Sequence, residues 1–140
     1  MNRAFWSAAP DGRYWLDIIL GGTPGRFMLD TGIVDRRNQV GFEVAPALFD
    51  SLQRSGQLVS AGDRKRFDAS GQTVVRPVGL VSAQLIDPVS RQGIGPSVPI
   101  SIFRGTPGVP SRVGVAFFHR LSGCRVVWEL DTRTWCVEYP

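Results

Sequence analysis

The sequence predicts an all-β protein built as one domain, 1–140. Three observations carry that reading. Its 140 residues are 43% apolar and 20% charged, enough to bury one ordinary core and too apolar for a disordered chain. Gly (16) and Pro (10) punctuate the chain without any Gly-X-Y period. Between these breaks lie short runs rich in Val, Ile, Phe, Trp and Tyr, which suit strands of a pleated, half-buried surface.

Taken in order, Tyr14–Leu20 reads as a strand, closed by the turn Gly21-Gly22-Thr23-Pro24-Gly25. Arg26–Leu29 is its partner and runs straight into Asp30-Thr31-Gly32, so the hairpin delivers an aspartate to a sharp turn. Residues Ile33–Gln39 are polar and basic and read as a surface loop. Val40–Val44 is a strand, and Pro46 opens a short helix over Ala47–Leu52, since Pro suits the first helical turn. Arg64–Phe67 and Thr73–Val81 form a hairpin around Asp68–Gln72, a turn composition. Val81–Ile86 alternates apolar and polar residues, the pattern of a half-buried strand. Asp87–Pro99 reads as a Gly/Pro/Ser loop, Val98–Phe103 as a strand and Thr106–Ser111 as a loop. A second helix is expected over Val115–Leu121, stopped by Gly123. The chain closes on the hairpin Arg125–Leu130 and Thr134–Tyr139, turning at Asp131–Arg133. The tally is seven or eight strands and two short helices.

Composition excludes several chemistries. One His and two Cys cannot assemble a zinc finger, a Cys/His cage or an iron–sulfur site in one chain. A Ser- or Cys-based hydrolase would have to use His119, which lies in Phe117-Phe118-His119-Arg120 on the second helix with no motif-bearing nucleophile. The net charge of +4 comes from arginines scattered along the chain, with Arg64-Lys65-Arg66 the one dense run. That distribution fits a GC-rich, bacterial-looking coding bias better than a nucleic-acid footprint, so no nucleic acid is expected. Trp6, Trp15, Trp128 and Trp135 read as core or interface anchors. No run approaches the ~20 apolar residues of a membrane span, and Met1–Pro10 has no apolar signal core. In the closing hairpin Cys136 falls opposite Val127 or Trp128 while Cys124 lies near Tyr139 or Pro140. That separation of about 10–13 Å is too wide for a disulfide. Two reduced thiols and a cytoplasmic location are therefore expected.

Asp30-Thr31-Gly32 gains weight from its setting: Trp15–Leu20, a Gly-rich turn, Phe27-Met28-Leu29, then the tripeptide. Arg112-Val113-Gly114 with the helix after it, followed by Cys124–Leu130, completes a pattern that resembles the retropepsin-like aspartic proteases over residues 13–139. The resemblance implies a closed β-barrel, the half of an acid protease, with a flap hairpin over Arg66–Val78 whose tip is Ala69-Ser70-Gly71-Gln72. Asp30 would be catalytic, and Thr31 would hydrogen-bond across a dimer beneath it. Gly32 would admit a close backbone approach. Ile33, Val113 and Gly114 join the tip residues as substrate-pocket candidates.

Two carboxylates about 3 Å apart cannot both ionise, so they share a proton and divide the roles of base and acid. The chain holds one such tripeptide, and Asp63, Asp68, Asp87 and Asp131 lie in turn-like sequence. A homodimer, placing Asp30 on a two-fold axis, would supply the second carboxylate. The expected activity is that of an aspartic endopeptidase acting on peptides or proteins, with no metal and no organic cofactor. The alternative is a weak or inactive module of the same fold that dimerises or binds peptides. Ile33 motivates that alternative, because a branched side chain there would crowd a substrate backbone where the family has Ala or Ser. The loop 34–39 is also longer than the family's connection. The strand Trp135–Tyr139 is expected at the dimer interface, offering unpaired backbone to a second copy.

Overall fold

The computed structural model describes residues 1–33, 40–68 and 70–140. The expected loop 34–39 and Ala69 of the expected flap tip lie outside the described residues. In chain order the elements are β1 (Asn2–Ser7), β2 (Trp15–Leu20), β3 (Thr23–Leu29), β4 (Val40–Val44), α1 (Pro46–Arg54), β5 (Val59–Phe67) and β6 (Thr73–Ile86). They continue with β7 (Gly93–Arg104), β8 (Arg112–Val113), α2 (Val115–His119), β9 (Arg125–Glu129) and β10 (Thr134–Tyr139).

The larger sheet runs β2-β3-β8-β4-β7-β6-β5, and an additional β2–β6 pairing closes it on itself. Ile18, Ile19 and Leu20 of β2 face Leu85, Gln84 and Ala83 of β6 across that seam. Six strands therefore make a closed barrel, the expected all-β architecture, while β5 hangs from β6 as a hairpin beyond it. Closure removes the exposed edges of an open sheet. The length of β6 makes this arrangement possible. Its first half, Thr73–Leu80, pairs with β5, and its second half reaches β2 while β7 follows along most of it.

Alternation sets the interior. Leu16, Ile18 and Leu20 of β2 are buried while their neighbours face outward. Phe42 of β4 packs between Phe27 (centroids 5.3 Å) and Phe117 (5.2 Å), and the aromatic chain continues through Phe118 to Trp135. Through it the barrel core is continuous with the second sheet, three strands in the order β1-β10-β9.

Several boundaries differ from those the sequence implies. The turn after β2 is only Gly21-Gly22, both at positive φ, and Pro24 lies within β3. Proline is tolerated there because only the far end of β3, Met28-Leu29, has a second neighbour. β5 starts at Val59, with a bulge between Ser60 and Asp63 where Gly62 takes φ +81°. β7 starts at Gly93, inside the expected loop, because β6 supplies a partner to residues whose own composition argues for a turn. The remaining turn is held by Asp87, whose carboxylate accepts from the Val89 and Ser90 amides. β1 was not anticipated. It pairs with β10 from Asn2↔Tyr139 to Ser7↔Thr134, so β10 is the central strand of its sheet. The expectation that β10 offers unpaired backbone to a second copy is thus corrected: β1 and β9 flank it, and they hold the edges. Cys136 sits opposite Val127, and both thiols are unbridged.

Truncating Phe42 to Ala removes the link between Phe27 and Phe117 in the aromatic chain and is expected to cost about 3–5 kcal/mol in denaturant unfolding. Phe5→Ala, at a side chain 50% exposed, should cost well under half of that in the same titration.

Candidate active site

The two-residue strand β8 is inserted between β3 and β4, parallel to the first and antiparallel to the second. It fixes the aspartate loop through its backbone. Asp30 donates its N–H to the Val113 carbonyl (2.9 Å), and Met28 donates to the Ser111 carbonyl (3.0 Å). Gly114 donates to the Gly41 carbonyl at 2.7 Å. The Asp30-Thr31-Gly32 turn therefore leaves β3 with its first amide already committed.

Both oxygens of the Asp30 side chain, which is 28% exposed, have partners. Oδ1 accepts from the Gly32 amide at 2.9 Å, and Oδ2 accepts from Arg112 Nη1 at 2.8 Å. A Cβ at Gly32 would stand 3.0 Å from Oδ1, so a side chain there would press on the carboxylate. Arg112 Nη2 donates to Glu43 Oε2, and Glu43 Oε1 pairs with Arg66 Nη1 at 2.6 Å. The Arg66 guanidinium lies 4.6 Å above the Phe103 ring. An alternating series, Asp30–Arg112–Glu43–Arg66, thus runs from the aspartate loop to the β5–β6 hairpin. Arg112 and Glu43 face each other directly in the β8–β4 ladder, so backbone register sets the central pair.

These groups line a cleft of about 600 Å³ between the aspartate loop and the hairpin. Of the residues singled out in the sequence, Asp30, Gly32, Ile33 and Ser70 line it. Thr31 is exposed beside it, and Gly71 and Gln72 belong to the hairpin turn without lining the cleft. Val113 and Gly114 are buried beneath it. Ile33 is only 2% exposed, and a Cβ on Gly114 would meet Ile33 Cβ and its carbonyl oxygen, each at 2.8 Å. The Ile33 side chain is thus packed against Gly114 at the wall of the cleft. His119 is exposed on α2 and does not line the cleft.

The hairpin turn is organised by Asp68, whose Oδ1 accepts from Ser70 Oγ (2.6 Å), Ser70 N–H (2.9 Å) and Gln72 N–H (2.9 Å). Gly71 takes φ +84°, a conformation open to glycine. The Ser70 hydroxyl bond first, then the amide bonds, hold the Asp68 carboxyl below the usual carboxylate range. Burial pushes both cysteine thiols up.

Sequence reasoning missed Glu43, Arg66 and Arg112. The available signal was Arg112 immediately before Val113-Gly114, on the strand that carries the aspartate loop. Among the described residues no cluster of His, Cys, Asp and Glu could hold a metal ion, and no helix is long and apolar enough to cross a membrane.

No protein-family model matches the sequence, and no curated protein is significantly similar to it. Among solved structures, the chain is similar to a retropepsin-like aspartic protease from Rickettsia conorii. The TM-score is 0.60 and the identity 16%, over 99% of this chain and 91% of that one. At that identity the likeness establishes the fold: this chain has the retropepsin-like, aspartic-protease type of fold.

Arg112→Met leaves Asp30 and Glu43 facing one cleft without their shared cation. A stability loss of about 1–3 kcal/mol is expected, partly recovered in the Arg112→Met/Glu43→Gln double variant, as a denaturation double-mutant cycle would report. The hairpin turn has its own pH signature. Because folding lowers the Asp68 pKa, its stabilisation is full above the ordinary aspartate value of 3.8 and is lost as pH falls through the lowered one. The Ser70 and Gln72 amide resonances should therefore titrate below 3.8, with Ser70→Ala moving the midpoint up towards it.

Proposed function

We propose that the protein is an aspartic endopeptidase that hydrolyses peptide bonds with a water activated by an Asp30 dyad formed across a homodimer. The observation that carries this is the position of Asp30: its carboxylate lies in a large cleft, on a turn fixed by β8 and faced by the β5–β6 hairpin. In that reading the hairpin is a flap over the substrate, and Ser70 is its cleft-lining tip residue. One carboxylate of the dyad takes a proton from water as it attacks the peptide carbonyl. The protonated partner supplies the leaving nitrogen with its proton. Arg112 holds Asp30 Oδ2 and so fixes the orientation of the carboxylate in the cleft.

One observation favours the second reading, a peptide-binding or dimerising module without turnover. Arg112 and the Gly32 amide occupy both Asp30 oxygens in the protomer, so a partner carboxylate has to share or displace one of those bonds.

Incubation with a peptide library at about pH 4 to 7 separates the two readings. Cleavage products in mass spectrometry, absent with Asp30→Asn, are the outcome expected of the endopeptidase; an amide cannot act as the base for water. Asp30→Asn should keep the fold, because Asn still accepts from Gly32 and Arg112, which loses its bond to Oδ2, keeps its pairing with Glu43. A dilution series joining sedimentation velocity to specific activity tests the shared dyad. Activity per protomer should fall in step with the dimer, and a fully active monomer contradicts the mechanism.

A further inference from the structure

Four arginines line the cleft: Arg66, Arg76, Arg104 and Arg112. Three of them are matched to carboxylates. Arg112 serves Asp30 and Glu43, and Arg66 serves Glu43. Arg104 forms a fork on Asp50 at 3.0 and 3.1 Å, a pairing that holds the Asp50 carboxyl below its usual range. Arg76 differs. Among the described residues it has no carboxylate within ion-pair distance, and its one side-chain contact is a hydrogen bond from Nη2 to the Thr106 hydroxyl at 3.2 Å. The remaining guanidinium donors face a cleft whose third carboxylate, Asp68, is engaged in the hairpin turn.

The ladder sharpens the contrast. Arg76 of β6 stands directly opposite Arg64 of β5. Of the two, Arg76 lines the cleft and Arg64 does not. A guanidinium pre-set by a neutral hydroxyl, on the inner face of a hairpin and partly withdrawn from water, is suited to bidentate capture of a carboxylate.

We propose that Arg76 is a specificity-determining residue of the cleft, and that the peptide bound there places an acidic side chain, Asp or Glu, against it with Thr106 as its second contact. The inference rests on the cleft being a peptide-binding site, as proposed above.

The test uses binding, so that it does not depend on turnover. Fluorescent peptide pools with randomised flanks, each carrying Glu, Gln or Lys at one fixed position, are titrated into Asp30→Asn and followed by anisotropy. Glu pools should bind about tenfold more tightly than Gln pools, with Lys pools weakest, and the gap should shrink with salt. Arg76→Gln in the same background should abolish the Glu-over-Gln difference, and Arg76→Glu should invert the order in favour of Lys. Thermal melts of both variants report folding. Equal binding of Glu, Gln and Lys pools overturns the assignment while leaving a peptide cleft intact, as does a Glu preference that survives Arg76→Glu. Absence of binding by every pool overturns the assignment together with the peptide-cleft reading. Preference for Glu in the parent, lost in Arg76→Gln, establishes it.

Discussion

The site hangs from β8. Two residues long, this strand cannot be stable by itself and exists because β3 and β4 leave a gap that accepts it. Once there it does three things through adjacent atoms. The Val113 carbonyl receives the Asp30 amide, the Arg112 side chain reaches the Asp30 carboxylate, and Gly114 admits Ile33 at a separation that any Cβ would forbid. The aspartate loop is consequently held from its backbone, its carboxylate and its apolar flank by one short segment. Displacement of that segment would move all three together, which ties the integrity of the barrel to the orientation of Asp30.

Electrostatics explains why the segment begins with arginine. Asp30 and Glu43 both face the cleft, and both have less than a third of their side chains exposed. Two carboxylates in that partly dry space repel, and each needs donors to replace lost water. A guanidinium offers donors at fixed spacing in one plane, so Arg112 can serve both acids at once where an ammonium would be a single point. Extension of the series to Arg66 places a β5 residue in the same charge-balanced set. The hairpin and the aspartate loop therefore share an electrostatic ground state, and a ligand that draws Arg66 away from Glu43 changes what Glu43 offers to Arg112.

Much of this was legible in the sequence, for local reasons. The strands β2 and β3 and the β9–β10 hairpin are announced by β-rich apolar runs between turn residues, the first helix by Pro46, and the aspartate tripeptide by what precedes it. Features that depend on a distant partner were not legible. Gly93–Ser97 reads as loop until β6 supplies its ladder, and Asn2–Ser7 has no turn signal that marks it as a strand until β10 is beside it. Glu43 and Arg112 are 69 residues apart, and nothing local to either says that they face each other. Ile33 is an intermediate case: it lines the cleft as its position suggested, but its close packing on Gly114 depends on a segment 81 residues away that nothing local announces.

The second sheet constrains how two copies can meet. Because β1 fills one side of β10 and β9 the other, the sheet is complete within the chain apart from its two outer edges. Extension of this sheet by a second copy must use β1 or β9, and the two edges differ in chemistry. β9 carries Trp128, half exposed although its indole N–H is bound to the Tyr14 hydroxyl at 3.1 Å, and the exposed Leu130 follows it. β1 carries the exposed Phe5 flanked by Arg3 and Ser7. A symmetric pairing joins like edge to like edge: the β9 edge offers indoles oriented by Tyr14 together with the charged Arg125 and Glu129, and the β1 edge offers Phe5 beside an Arg3 paired with Glu138. Pre-set aromatic surface is the less costly to bury, because its rotamers are already chosen. The central strand β10 has no free edge, so any extension of this sheet falls to β9 or β1.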